Sequence, residues 1–149
     1  MANYQVPDNS QHEFLETHNE VRANVTKETN IYLPPLVWNH TVASYAWSYA
    51  HNRSKDCDMV HSEGPYGENL TEGNPFSATD AVKFWASEKS DYNYEHNSCA
   101  DGQVCGHYTQ IVWKSSTQLG CARLQCTNGM FFMICNYYPP GNYGGERPY

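Results

Sequence analysis

The sequence lacks any apolar run close to the roughly 20 residues that a membrane-spanning helix needs. It also has little positive charge, with nine Lys and Arg against sixteen Asp and Glu and a formal net charge of −7. Nucleic-acid binding requires clustered Lys and Arg that neutralise phosphates, and the nine basic residues here are scattered. Nucleic acid is therefore excluded as a partner, and an anionic membrane surface is disfavoured for the same reason.

Several common catalytic motifs are also missing. The chain has no Gly-x-Ser-x-Gly nucleophile elbow, no His-Glu-x-x-His zinc motif and no glycine-rich phosphate loop. It has no Cys-x-x-Cys pair, which argues against a zinc ribbon or a thioredoxin-like redox site. Five histidines stand in helix-like or loop segments without a partner motif, and we interpret them as ordinary surface or packed side chains: His12, His18, His40, His51 and His96.

What the sequence contains points to a secreted protein with one domain over residues 1–149. Its length suits a single core, and its 40% hydrophobic content suits a folded globule. Six cysteines, an even number, and four Asn-x-Ser/Thr glycosylation acceptors fit the secretory pathway. The beginning of the chain lacks the apolar core of a signal peptide, so we interpret Met1 as an expression start before a mature chain. The four acceptors are Asn24, Asn39, Asn52 and Asn69.

Three helices are predicted in the first two thirds of the chain, each after a side chain that can cap its first turn. Ser10 with Glu13 forms a capping-box pattern, which predicts a helix over residues 11–23. The other two follow common N-cap residues: Asn39 for a helix to about Arg53, and Ser77 or Thr79 for a helix to about Glu88.

Most of the remaining sequence before residue 119 is predicted to be loop. Residues 54–77 are rich in Gly, Pro, Ser and Asn and are interpreted as loop, with a strand edge at 68–71. Residues 90–106 are polar, and 108–113 suit either a short helical turn or a strand. Residues 36–38 suit a short strand or a packed entry segment.

The clearest signal is a β-hairpin over residues 119–137, in which two β-rich runs flank Thr127-Asn128-Gly129. A two-residue Asn-Gly loop sets Cys121 opposite Asn136. A three-residue loop with Gly129 in the left-handed region instead sets Cys121 opposite Cys135, close enough for a disulfide. Helices early and strands late indicate an α+β protein rather than alternating βαβ units.

The three-residue loop leads to one disulfide pairing if every cysteine is oxidised. Cys126 has the opposite parity to Cys121 and points to the other face of the hairpin. Cys99 and Cys105 are close neighbours in a polar segment. The resulting pairs are Cys121–Cys135, Cys99–Cys105 and Cys57–Cys126.

Two segments dense in polar and aromatic residues resemble the signature blocks of the CAP superfamily (cysteine-rich secretory proteins, antigen 5 and pathogenesis-related 1). They are residues 106–113 (GHYTQIVW) and 135–143 (CNYYPPGNY). The plant pathogenesis-related 1 branch is resembled further at 61–62, 67–70, 84–89 and 142–149. The resemblance begins near residue 11 and implies the same disulfide pairing. It also implies a three-layer α-β-α sandwich around a small antiparallel sheet.

The resemblance further implies a cleft lined by His61, Glu68, Glu88 and His107, which sequence spacing alone does not connect. Imidazole and carboxylate ligands suit zinc, so the cleft could hold a divalent cation. The same side chains also suit a metal-free cluster in which each carboxylate fixes one histidine tautomer. A metal-dependent hydrolase is a further alternative, but the sequence offers no evident nucleophile. We expect no required cofactor and no catalysis.

Two further features follow from the resemblance. One is a sterol or small-lipid site in segment 90–105, with Tyr92 and Tyr94 as apolar contributors; alternatively, these rings only pack on the third helix. The other is release of residues 139–149 as a signalling peptide for a receptor, by cleavage between Tyr138 and Pro139; alternatively, this segment is an ordered tail on the domain.

Together these features predict a secreted, monomeric plant defence protein of the apoplast or vacuole. We expect it to act against fungi or oomycetes by binding rather than catalysis. A pollen or plant allergen without a separate activity is another alternative.

Overall fold

A computed structural model describes residues 9–74 and 76–149. Within these ranges, no helix is long and apolar enough to cross a membrane. A 3₁₀ turn, Ser87–Asp91, follows the third helix. The helices are α1 (Asn9–Thr29), α2 (His40–Arg53), α3 (Ala78–Ala86) and α4 (Gly106–Ile111). The strands are β1 (Val37–Trp38), β2 (Gly67–Gly73), β3 (Tyr92–Asn93), β4 (Ser98–Cys99), β5 (Gln118–Gln125) and β6 (Phe131–Tyr138).

The main sheet has the strand order β1-β5-β6-β2 and helices on both faces. β1 runs parallel to β5, and the other neighbours are antiparallel. Side chains of β6 alternate between two hydrophobic clusters, so that Met133 packs with α1, α3 and α4 while Phe132 and Ile134 pack with α2. This arrangement confirms the predicted α+β class and its central sheet.

The hairpin of β5 and β6 has the register of the three-residue loop. Cys121 lies opposite Cys135 with 4.1 Å between their Cα atoms, and Gly129 has φ of +90°. The left-handed value is one that glycine adopts without steric cost. All three predicted disulfides are present: Cys57–Cys126, Cys99–Cys105 and Cys121–Cys135.

The first helix departs from its prediction because of a tertiary contact. α1 runs from Asn9 to Thr29 rather than over 11–23, so Ser10 lies inside the helix. The Glu13 carboxylate does not close a capping box; it accepts hydrogen bonds from the backbone N–H (3.3 Å) and hydroxyl (2.9 Å) of Thr79 at the start of α3. The predicted capping box is therefore wrong, although the helix itself is confirmed.

The other two caps are local and were predicted correctly. The Asn39 side chain accepts from the backbone N–H groups of Thr41 and Val42, and Ser77 forms a capping box with Asp80. Glu88 lies beyond α3, in the 3₁₀ turn.

Two loop predictions need correction, and one open choice is resolved. Segment 54–77 contains all of β2, which pairs with β6 over its seven residues because its central side chains are buried between the layers. Segment 90–106 contains the short β3–β4 hairpin. Residues 108–113 belong mainly to α4, which resolves the choice between helical turn and strand.

Candidate functional site

The four side chains predicted to line one cleft form two separate Glu–His pairs. In the first, His61 Nδ1 donates to Glu68 Oε1 at 2.8 Å. Glu68 also accepts from the backbone N–H of Ser62 (2.8 Å), from the Ser62 hydroxyl and from Asn136 Nδ2 (3.0 Å). The carboxylate thus has four donors, and His61 borders an open cleft of about 430 Å³ that also includes Tyr66.

In the second pair, Glu88 both orients a histidine and caps a helix. Its Oε2 accepts from His107 Nδ1 at 2.6 Å, while Oε1 accepts from the backbone N–H groups of His107 (2.9 Å) and Tyr108 (3.1 Å). These amides belong to the first turn of α4, where N–H groups lack helical partners. The Trp85 ring stacks on the His107 ring with centroids 6.2 Å apart.

The two Glu–His pairs offer few ligand atoms to a metal ion. Among residues 9–74 and 76–149, no group of three or more metal-ligating side chains is close enough to hold an ion. Because Nδ1 of each histidine is bonded to a carboxylate, each imidazole retains only Nε2 as a donor atom for an ion. The contacts match the metal-free alternative, and the metal site stays a prediction.

A buried polar chain that sequence reasoning missed leads from α1 to His107. Asn69 Nδ2 donates to the backbone oxygen of His107 (3.0 Å) and to the Tyr137 hydroxyl (3.1 Å). The Tyr137 hydroxyl donates to His18 Nε2 at 2.6 Å, and His18 Nδ1 donates to the Phe14 carbonyl at 2.7 Å. Burial lowers the pKa of His18 to about 4 and raises the pKa of Tyr137. The only sequence signal was a set of polar residues on otherwise apolar faces.

Arg22 fixes the other end of α4 from inside the core. Its guanidinium donates to the carbonyl of Ile111 (3.0 Å), the last residue of α4, and to that of Trp113 (2.9 Å), two residues beyond it. Burial lowers the pKa of Arg22 to about 10. Buried contacts thus hold α4 at both ends, from Asn69 to His107 and from Arg22 to Ile111. Three further carbonyl acceptors complete the set: Pro34, Lys114 and Ser116.

The two tyrosines of the predicted sterol segment pack against other aromatic rings. Tyr92 packs against Tyr108 of α4, with ring centroids 6.0 Å apart, and against the hydrophobic cluster that includes α3. Tyr94 stacks on the terminal residue Tyr149, with centroids 4.8 Å apart and planes 9° apart. Sterol binding stays a prediction, and any ligand stacking on Tyr94 would meet the C-terminal segment there.

The segment after β6 is irregular but held on the domain, as the alternative of an ordered tail predicts. The two residues at the predicted cleavage point, Tyr138 and Pro139, are both exposed. Tyr138 is still the last paired residue of β6, because it lies opposite Gln118 and its carbonyl accepts from the Thr117 N–H at 3.0 Å.

The glycosylation acceptors differ sharply in exposure. Asn24 and Asn52 are exposed on helices, and Asn39 is a half-buried N-cap. Asn69 is only 1% exposed, and its amide nitrogen makes the two hydrogen bonds described above. A glycan on Asn69 would have to displace both contacts.

Comparison with known proteins gives one family. The CAP model, described as the cysteine-rich secretory protein family, matches residues 15–137. Pathogenesis-related protein 1A of Nicotiana tabacum is 52% identical over 143 residues, 95% of this chain and 82% of the relative. A pathogenesis-related protein PR-1 type of Sambucus nigra is 47% identical over 152 residues, 100% of this chain and 87% of the relative. Neither name states a catalytic activity.

Solved structures give the same fold. The venom allergen-like protein 4 of Schistosoma mansoni superposes with a TM-score of 0.74 and 26% identity, covering 97% of this chain and 95% of that one. Na-ASP-1 superposes with a TM-score of 0.81 and 25% identity, covering 99% of this chain and 43% of that one.

Proposed function

Because the chain belongs to the CAP family of cysteine-rich secretory proteins, we propose that it is a plant defence protein of the pathogenesis-related 1 type. We propose further that it is secreted to the apoplast or vacuole and limits fungi or oomycetes. Three disulfides suit an oxidising compartment, and the two exposed acceptors Asn24 and Asn52 are accessible for glycans.

The element through which it acts is the C-terminal segment 139–149, released by cleavage after Tyr138. The observation that carries this proposal is the exposed junction at which β6 ends and the irregular segment begins. A protease needs an extended, unpaired backbone, so cleavage requires the last pair of the strand, Gln118 with Tyr138, to open. Terminal pairs open most readily because few contacts hold them.

Mass spectrometry of extracellular fluid from infected tissue tests this proposal. We expect a fragment that begins at Pro139. The synthetic 139–149 peptide should induce defence responses, whereas a scrambled peptide of the same composition should not. Accumulation of the intact chain without any such fragment would overturn the proposal.

Sterol or small-lipid binding is a second candidate, and the aromatic surface around Tyr94 supports it. Val104, 60% exposed, adds an aliphatic side chain to the same segment. Titration with a fluorescent sterol should saturate for the wild type and weaken in Tyr94→Ala. The matched control is Tyr32→Ala, because Tyr32 is also exposed but lies in the loop between α1 and β1. Equal binding by both variants would remove this candidate.

A metal-dependent hydrolase is a third candidate, supported by the two carboxylate-oriented histidines. In the described part of the chain, neither Nε2 has a hydrogen-bond partner, so both are available to a cation or a reacting water. Calorimetric zinc titration of the wild type, His61→Asn and His107→Asn tests the cation. Heat of binding that neither variant alters would rule out these histidines as ligands.

A further inference from the structure

We propose that the domain carries a peptide-binding site already filled by its own C-terminal segment, so that a chain cut after Tyr138 keeps residues 139–149 bound. The site consists of loop 94–97, helix α4 and residues 113–116. The inference rests on the proposed release of the segment and adds a step to it, because dissociation then follows cleavage as a separate event.

The first anchor lies directly after the junction. The Ser116 hydroxyl donates to the Pro139 carbonyl at 2.7 Å, and the Gly141 N–H donates to Gln110 Oε1 at 3.2 Å. Gln110 is buried, and its Nε2 donates to the hydroxyl oxygen of Ser116. The domain side of this anchor is therefore fixed independently of the segment. Gly141 packs so closely on Trp113 that a Cβ would lie 2.6 Å from the indole.

The next contacts bind the segment to the first turn of α4. The Asn142 side chain accepts from the Thr109 hydroxyl at 2.6 Å and donates to the Gly106 carbonyl at 2.9 Å. Tyr143 then packs edge-on against Trp113, with centroids 6.4 Å apart. An asparagine that uses both its donor and its acceptor is a specific contact, since no apolar residue replaces it.

The second anchor holds the end of the chain. Arg147 donates to the carbonyls of Tyr94 (2.9 Å) and Glu95 (2.6 Å). Pro148 is buried, and its carbonyl accepts from the Lys114 N–H at 2.8 Å. The Tyr149 ring stacks on Tyr94, whose hydroxyl donates to the Tyr149 main-chain oxygen.

The two anchors are joined by the exposed residues Gly144 and Gly145, around which a Cβ would meet no atom within 4 Å. When the segment detaches from one anchor, the other anchor keeps it close to the domain. The resulting high local concentration favours rebinding over escape. Cleavage removes the covalent link at Tyr138 but none of the contacts beyond Pro139. Dissociation would then uncover the face of the Tyr94 ring that Tyr149 covers, which enlarges the exposed aromatic surface.

The test uses the full chain with a specific protease site inserted between Tyr138 and Pro139. After cutting, size-exclusion chromatography with mass spectrometry should find the peptide co-eluting with the domain. Chase with excess synthetic 139–149 peptide should then show slow exchange. The double variant Arg147→Ala/Tyr149→Ala should lose the peptide at least tenfold faster. Glu146→Gln is the matched control, because the Glu146 side chain makes no hydrogen bond or ion pair within the described residues.

Immediate loss of the wild-type peptide, at the rate of the double variant, would overturn the proposal. A second insertion between Gly144 and Gly145 provides the same readout for residues 145–149 if the first one prevents folding. Uncut variants must unfold at the wild-type denaturant midpoint, so that faster loss reports on peptide affinity. The added protease supplies the cut, so this result is independent of whether the Pro139 fragment occurs in plants.

Discussion

The buried histidine His18 should make the protein less stable in acid. Its side chain is fully buried, and both ring nitrogens are used in neutral hydrogen bonds, with the Phe14 carbonyl and the Tyr137 hydroxyl. Burial lowers its pKa from 6.5 to about 4. Between these values the unfolded chain binds one proton more than the folded chain. The His18 contribution to stability is therefore complete above about pH 6.5 and is lost as the pH falls towards 4.

The size of the effect follows from the same two pKa values. Each unit of difference corresponds to about 1.4 kcal/mol, so His18 should account for about 3 kcal/mol of lost stability between pH 6.5 and pH 4. Such a loss is a large share of the roughly 5–15 kcal/mol that stabilises a typical domain.

Replacing His18 with Gln removes the titrating group and keeps one donor and one acceptor. Urea unfolding of the disulfide-intact protein, followed by tryptophan fluorescence from about pH 7 to about pH 4, measures both chains. Carboxylates titrate in both, so the difference between the two free-energy curves isolates His18. We expect the wild type to lose about 3 kcal/mol relative to His18→Gln as the pH falls.

The control is His96→Gln, because His96 is exposed on the loop between β3 and β4. Its curve should run parallel to that of the wild type. A difference between wild type and His18→Gln that stays constant across the whole pH range would refute a buried neutral histidine at this position.

Three further predictions concern side chains around α4. Arg22→Lys should lower the free energy of unfolding by about 3 kcal/mol, since one ammonium group cannot replace the guanidinium fork on five carbonyls; an unchanged denaturant midpoint would contradict this. Glu88→Ala should cost about 2 kcal/mol by leaving two amides of α4 without acceptors, and Glu88→Gln should recover part of that loss in the same urea assay. Glycopeptide mapping of the secreted protein should find no glycan on Asn69, and occupancy there would show that its amide is accessible.

The caps and the hairpin register that the sequence predicted correctly share a local origin. The caps at Asn39 and Ser77 join atoms two or three residues apart, and the left-handed Gly129 sets the register of a hairpin whose strands are neighbours in the chain. Such contacts form with little loss of chain entropy, so residue type and spacing indicate them directly. The one failed cap shows the limit: Glu13 had a local partner available and bonded instead with Thr79, 66 residues away.

The candidate site depends on contacts that residue type and spacing do not indicate. The family resemblance supplied His61, Glu68, Glu88 and His107, but not which carboxylate is bonded to which histidine.

The sequence by itself indicated the family, the α+β class and three of the helices. It determined the cysteine pairing only for a hairpin with a three-residue loop. Only the tertiary structure decided what each polar side chain is bonded to. His18 meets Tyr137 across 119 residues, and Arg147 meets Tyr94 across 53. Partners this far apart in sequence are chosen by how the layers pack, because burial forces each polar group to find whichever donor or acceptor the fold brings near.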